Sequence, residues 1–454
     1  MSNSSISSSQ NKMGTMPVTR LILNMSLPMM FSMFIQALYN IIDSIFVAKI
    51  AEDALTAVSL AFPIQNLMIS FAVGTGVGVN ALLSKKLGEK NQEEVNKSAT
   101  NGLFLSICTF ISFVILGLLF LETYFYSQTS NLEIISYGLK YCKVVLYASI
   151  FIFLGIMSDR LLQSTGRTIY TMYSQLAGAL TNIIFDPLLI FGIGFFPELG
   201  IYGAAIATVL GQAVSLSISL YFNFKKNPDI KISIKDFRPS GKIIGQIYKV
   251  GIPSILLSSI SSVTTYFINL ILGAFSTTAI AVYGVYFKLN SFIFMPVFGL
   301  NNGIVPIVAY NYGAKNKERL LKTIKVGTLM AVAIMTFGML LFLIIPEPLL
   351  NLFSASESML KIGIPAMRII STSFIGAAIA ISLSSVFQAF GKAFYSMLVS
   401  FIRQIFFLLP SAYLLSLTGN INNIWFCFPI AEIVAVILSV FFLKNIFKNI
   451  IEKL

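Results

Sequence analysis

The sequence predicts an all-α integral membrane protein, with twelve transmembrane helices arranged as two six-helix lobes. Three observations carry that expectation. Hydrophobic residues make up 56% of the 454 residues, charged residues only 11%, and the mean hydropathy is +0.84. A soluble domain carries about a quarter charged residues, so this chain cannot cover itself for water. The apolar residues gather in roughly a dozen stretches of about 20, each long enough to cross a hydrocarbon core of about 30 Å. Lipid offers no partner to backbone polar groups, which leaves helices or closed barrels, and runs this long and unbroken suit helices. Finally, the chain repeats itself at one fixed offset.

In chain order, the Ser-rich opening MSNSSISSSQNKMGTMPVTR lacks a signal peptide's apolar core and is expected to be a disordered cytoplasmic tail over 1–20. Helices are expected at 21–47, 56–83, 99–121, 134–157, 169–194 and 201–223, which form the first lobe, 21–223. A basic cytoplasmic linker spans 224–248. Helices at 249–273, 279–309, 326–346, 359–387, 395–417 and 423–443 form the second lobe, 249–443, and 444–454 is a short cytoplasmic tail. The linkers between helices set orientation through their basic residues. Lys85, Lys86, Lys90, Lys97, Arg160, Arg167, Lys225, Lys226, Lys231, Lys235, Arg238, Lys315, Lys317 and Arg319 all fall on one side. The other side has Lys49 but carries Glu52, Asp53, Glu122, Glu133, Glu198, Glu347 and Glu357. Both termini are therefore expected in the cytoplasm, and the net charge of +13 is read as an insertion signal rather than a nucleic-acid surface.

The repeat is announced by GEKNQEE at 88–94 and GAKNKER at 313–319. Gly88 and Gly313 stand 225 residues apart, and the same offset superposes Pro28 on Pro253, Ala54 on Ala279, Phe62 on Phe287, Gly74 on Gly299 and Gly78 on Gly303. Further on it superposes Gly138 on Gly363, Gln163 on Gln388, Gly166 on Gly391 and Tyr170 on Tyr395. The matches fall on Gly, Pro and charged positions, where backbone geometry constrains the residue. An even number of spans returns the chain to its starting side, so the two copies run parallel about an axis along the membrane normal. Two bundles with a cleft between them is an architecture of alternating-access carriers. The doubled phrases are read as turns in which Gly ends a helix while Lys, Asn and Glu face water.

Several chemistries are set aside. With no histidine, the commonest metal ligand and every His-based catalytic scheme are missing, and neither a metal site nor a catalytic centre is expected. Cys108, Cys142 and Cys427 lie inside apolar stretches and imply no disulfide framework. No G-x-x-x-x-G-K-[ST] loop is present to couple transport to a nucleotide, and no cofactor is expected. A channel would be expected to show filter loops or rings of charge, which a two-lobe repeat does not supply.

Beyond these features, the order and spacing of YNIIDSIFVAKI, the G-x-K-N-x-E linkers, QSTGRTIYTM, TNIIFDPLLIFG and LGIYGAAIATVLGQ resemble the multidrug and toxic compound extrusion (MATE) family. The likeness covers about 17–445 and is strongest to the bacterial DinF-like and MepA-like branch. It implies a monomeric exporter in a bacterial cell membrane, moving amphipathic, often cationic drugs in exchange for H⁺ or Na⁺, with lipids as its other partners.

An ionisable side chain within a span is costly and marks function by default. In the first lobe the two carboxylates of this kind are Asp43 and Asp186. Asn182 and Asp186 lie one turn apart on one helix face, and Pro187 follows, removing a helical hydrogen bond to Ile183 and predicting a kink. Gln36, Tyr39, Asn40 and Asp43 form a polar stripe on the first helix. At 1.5 Å per residue, Asp186 lies about 27 Å and Asp43 about 33 Å from the inner ends of their helices, and Thr208 about 10 Å from an outer end. All three therefore meet in the outer half of the lobe. The family resemblance places Asp43, Asn182, Asp186 and Thr208 in a cation-coupling network, with Tyr141 as a further member. Other readings stay open at this point: Asp43 as a mark of the outer interface, Asp186 as a cap at Pro187, Asn182 and Thr208 as interhelical glue. Gly74, Gly76 and Gly78 are read as close-packing positions. Gln36, Tyr39, Asn40, Met172 and Phe185 are candidate drug contacts, Met because it repacks around varied shapes.

The second lobe has Ile268 and Ser411 where the first has Asp43 and Asp186, which argues for coupling in the first lobe alone. It offers instead Lys288, Arg368, Arg403 and Glu432, with Arg368 and Glu432 expected to pair. The alternative to drug efflux is an exporter of a lipid-linked oligosaccharide or another anionic metabolite, which would favour Arg and Lys at the cavity centre.

Overall fold

The computed structural model describes residues 11–232, 237–353 and 355–454. Ten helices are long and apolar enough to cross a membrane, and two bent pairs bring the spans to as many as twelve. In the first lobe these are α1 (Val18–Ala48), α2 (Glu52–Gly88), α3 (Gln92–Gln128), the bent α4 (Leu132–Tyr147 and Ile150–Ser164), α5 (Thr168–Phe191) and α6 (Ile201–Lys226). In the second they are α7 (Gly241–Gly273), α8 (Thr277–Gly313), α9 (Lys317–Ile344), the bent α10 (Glu357–Ser371 and Phe374–Ala389), α11 (Ala393–Ser416) and α12 (Cys427–Asn449).

The bends, 47° in α4 and 49° in α10, replace two helices expected to run unbroken. Apolar length cannot report a bend, because hydropathy carries no information on the direction of the helix axis. Most helices also outrun their expected limits: α2 and α3 leave only a three-residue turn between them. Hydropathy marks where the lipid ends, while capping decides where a helix ends. Here Asn91 and Asn316 each accept the backbone N–H three residues on, at 3.1 Å, and so start α3 and α9.

Backbone geometry repeats at the offset of 225. Left-handed φ values recur at Lys90 and Lys315, at Gly166 and Gly391, and at Gly194 and Gly419. Thr171 donates to the Asp159 carbonyl as Ser396 does to the Ser384 carbonyl. The doubled phrase thus turns on its lysine, at φ of 58° and 54°, and not on its glycine. The glycines serve another purpose. A Cβ at Gly88 would stand 2.0 Å from the Tyr310 oxygen, and one at Gly313 the same distance from the Lys85 oxygen, so each lets the other lobe's backbone pass. Gly74 against Ile255 and Gly299 against Met30 repeat this reciprocal fit further along the same helices. Arg160, buried at 8% exposure, reaches from α4 to the Asn302 amide oxygen of α8 at 3.1 Å. These approaches join the lobes in the half that carries both chain ends.

The expected tail over 1–20 is corrected where it is described; residues 1–10, like 233–236 of the linker, lie outside the described residues. From Asn11 the chain is bonded in place. A single turn, Lys12–Thr15, sits between the lobes with Met13 wholly buried. Asn11 donates to the Thr165 carbonyl and to Asp229, and Lys12 to Asn24 at 2.6 Å. Across the interface, Arg319 donates to the Met13 and Met16 carbonyls, and Asn311 also to Met13. A polar, Ser-rich composition hid one apolar anchor, Met13, and carbonyls that only a folded partner reveals.

Candidate functional site

The site is built on α5. Gly178 there faces Gly211 of α6 so closely that a Cβ on either would meet the other's carbonyl at 2.8 or 2.7 Å. This brings α6, with Thr208 and Gln212, against the polar face of α5. On that face Asn182 donates to Asp186 Oδ1 at 3.3 Å across one helical turn. The helix runs on through Pro187 to Phe191, so proline costs it the Ile183 hydrogen bond without ending it.

Asp186 is wholly buried and Asn182 nearly so, at 3% exposure. Asp43, half-buried on α1, brings its carboxyl into hydrogen-bonding contact with that of Asp186. A carboxylate only accepts, so that contact is a bond only when one of the two carries a proton. Tyr39, one turn before Asp43, lies close enough to sense both carboxyls. Tyr141 of α4 is buried, accepts from Gln65 Nε2 at 3.1 Å, and has the Thr208 side chain beside it. The structure therefore brings together Asp43, Asn182, Asp186, Tyr141 and Thr208, with Tyr39 alongside.

Four oxygens in this region are shielded and have no hydrogen-bond partner: Asp43 Oδ1, Asn182 Oδ1, Asp186 Oδ2 and Gln212 Oε1. Buried polar atoms are nearly always paired, so each of these calls for an explanation. Two carboxyls with neutral oxygens around them form a donor set suited to a proton or a small hard cation.

The remaining candidates are placed less centrally. Gln36 and Asn40 are exposed on α1. Phe185 turns its ring edge to Phe196 of the α5–α6 loop, centroids 6.0 Å apart. Met172, half-buried, lies about 21 Å along α5 from Asp186 and does not join the acids.

Sequence reasoning missed Gln65 and Gln212; the latter stands one turn beyond Thr208, a spacing that signals a shared face. It also missed Asp159, placed at the inner end of α4 and only 5% exposed. Its carboxyl accepts from Ser174 at 2.8 Å and Gln175 at 2.9 Å, which ties α4 to α5.

In the second lobe the expected Arg368–Glu432 pair is corrected. Glu432 pairs with Arg403, while Arg368 is exposed at the end of the first half of α10. The equal-depth argument assumed a straight α10, and the 49° bend after Arg368 removes it. Arg403 itself lies on a π-helical stretch, Ile402–Leu408, which changes the facing of α11. Lys288 is exposed, with its ammonium 5.9 Å from the Phe353 ring centre.

A parallel six-plus-six repeat of membrane helices, sealed at one face and holding an acid pair in one lobe, defines a multi-pass membrane transporter and not an enzyme. The MatE family model matches residues 28–188 and again 253–414, and the chain belongs to this family. The two matches begin 225 residues apart, at Pro28 and Pro253. The multidrug export protein MepA of Staphylococcus haemolyticus is 26% identical over 431 residues, covering 94% of each chain. The FAD transporter of Shewanella oneidensis is 26% identical over 417 residues, 92% of each. Among solved structures, a MATE protein in complex with MaL6 is 25% identical with a TM-score of 0.91, over 98% of this chain and 100% of that one.

Proposed function

We propose that this protein exports amphipathic, cationic compounds across a bacterial cell membrane in exchange for H⁺ or Na⁺, with its termini in the cytoplasm. The observation that carries the reading is the Asp43–Asp186 pair with its unpartnered oxygens in the first lobe, opposite Ile268 and Ser411 in the second. Two carboxylates so close repel each other unless a cation joins them. A proton or sodium ion entering from outside relieves that repulsion and draws α1 toward α5. The drug-bound lobe prefers the opposite arrangement, so cation and drug select different states of one equilibrium. The seal made by Gly88, Gly313 and Arg160 closes the cytoplasmic side, which leaves the cleft open outward. The MepA likeness supports drugs as cargo.

The test uses the reconstituted protein in vesicles loaded with a fluorescent cationic dye, under a pH or a sodium gradient imposed separately. One gradient is expected to drive dye movement, and Asp186→Asn is expected to abolish the driven component. Driven export that survives Asp186→Asn would sink the assignment.

The FAD transporter likeness supports a second reading, export of an anionic metabolite. Pairing of Arg403 with Glu432 weighs against it, because an arginine already answered by a carboxylate is less free to take an anion. Counterflow of labelled FAD and of dye in the same vesicles separates the two.

A further inference from the structure

The face that carries the chain ends holds two sockets related by the repeat, and they are filled differently. In the first, the Lys12–Thr15 turn packs against Gly166, with Lys12 and Met13 carbons within 3.4 Å of where its Cβ would stand. The cation of that socket, Arg167, is answered by Asp229. In the second, the matching residues are Gly391 and Lys392, and among the described residues no carboxylate answers Lys392 as Asp229 answers Arg167. A Cβ on Gly391 would meet nothing within 4 Å. The chain that could plug this socket is led away: Ser240 N–H donates to Asn101 on α3, and Phe237 packs on Phe104, ring centroids 5.6 Å apart.

What remains is a cavity of about 330 Å³ between the lobes, with Lys85, Lys86, Lys249, Lys392, Tyr312 and Phe390 in its wall. Lys85 and Lys86 come from the first lobe and are met by Glu89 and Glu94. Lys249 and Lys392 come from the second lobe and have no carboxylate in ion-pair range among the described residues. Lys85 also lies over the Tyr312 ring, 4.8 Å from its centre, and Tyr312 stands edge-on to Phe390 at 4.9 Å. Four ammonium groups against two carboxylates leave an excess of two positive charges at an aromatic-walled opening.

We infer that this cavity binds a phosphate-bearing anion that bridges the lobes and holds the terminus-bearing face closed. A phosphate group carries enough charge and acceptor oxygens to serve several lysines at once, which a single carboxylate does not. Basic pockets between membrane helices take anionic lipid headgroups by the same chemistry. Because the lysines converge only when the lobes meet, the anion favours that state by its differential affinity. The inference stands whichever ion drives transport.

The experiment uses the full-length protein in neutral detergent and reads the thermal unfolding midpoint. Sodium pyrophosphate at matched ionic strength, phosphatidylglycerol, and phosphatidylcholine as neutral control are titrated in turn. The midpoint is expected to rise with at least one of the two phosphate anions beyond the effect of phosphatidylcholine. A rise with pyrophosphate identifies a site open to free phosphates, and a rise with phosphatidylglycerol alone identifies a headgroup site. The double variant Lys249→Gln, Lys392→Gln is expected to weaken the apparent affinity at least tenfold, and Lys225→Gln, Lys448→Gln, on exposed positions outside the cavity, to leave it within twofold. The inference is overturned if neither anion stabilises the protein, if the cavity variant binds as well as the native chain, or if both variants lose binding equally.

Discussion

An alanine at Gly88 would put its methyl carbon 2.0 Å from the Tyr310 carbonyl oxygen, and one at Gly313 would do the same at Lys85. Both neighbours are backbone, so no rotamer change relieves the clash and the lobes must part. Gly88→Ala is therefore expected to slow transport at least tenfold and to expose the inner cleft, read as faster alkylation of a cysteine placed at Ala81. An unchanged transport rate would show that the glycine is not needed for closure. Gly76 contrasts with it: there the obstacle is Arg160 Cγ at 2.8 Å, a side chain that can shift. Single residues were legible in the sequence where their type is rare in context. Asp43 and Asp186 stood out as acids in apolar runs, whereas Asp159 was hidden in a polar helix end. Gly88 does end its helix as expected, but its second role was hidden for a different reason: a helix-ending glycine and a close-packing glycine look alike until the facing backbone is known.

At the scale of elements, the Lys12–Thr15 turn acts as a wedge tied to both lobes. Arg319→Ala removes its donors to the Met13 and Met16 carbonyls and is expected to cost about 2 kcal/mol of stability, read as a lower unfolding midpoint. Burial, with the neighbouring Arg167 guanidinium, pushes the Lys12 ammonium from the ordinary 10.5 down to about 8. The undocked segment thus binds more protons than the docked one between those values. Docking should be constant below about pH 8, tighten as pH rises through that window, and level off above 10.5. A spin label at Thr15→Cys, in a chain with its three cysteines replaced by serine, should become less mobile from pH 8 to 10. The opposite trend would mean that Lys12 docks by its charge. Helix number and order were open to sequence reading because apolar length is a local property. The bends in α4 and α10 were not, since hydropathy along a chain does not record a change in the direction of the helix axis.

Across the whole molecule, the close approaches join two similar lobes at one end and the acid pair occupies one lobe alone. A cation at Asp43 and Asp186 should therefore open the sealed face and close the other. Labels at Glu133→Cys and Ser358→Cys, exposed positions 225 residues apart near the end away from the termini, report one side. Labels at Glu93→Cys and Glu318→Cys report the other. Acid or sodium should shorten the first distance and lengthen the second, and Asp186→Asn should remove the response. Two distances that stay fixed under both cations would separate the acid pair from lobe movement.

The membrane class, the six-plus-six repeat with its offset of 225, and the confinement of the acid pair to the first lobe were all legible along the chain. Each is a matter of composition or spacing along the chain, and such properties survive without knowledge of how helices turn. It took the folded molecule to show that Glu432 answers Arg403, that the paired glycines seal one face, that the Lys12–Thr15 turn fills one socket, and that the lysines of the other have fewer acids than they need. Those outcomes depend on bends, rotations and the approach of one lobe's backbone to the other's. Such distances arise between residues hundreds of positions apart, and no local pattern encodes them.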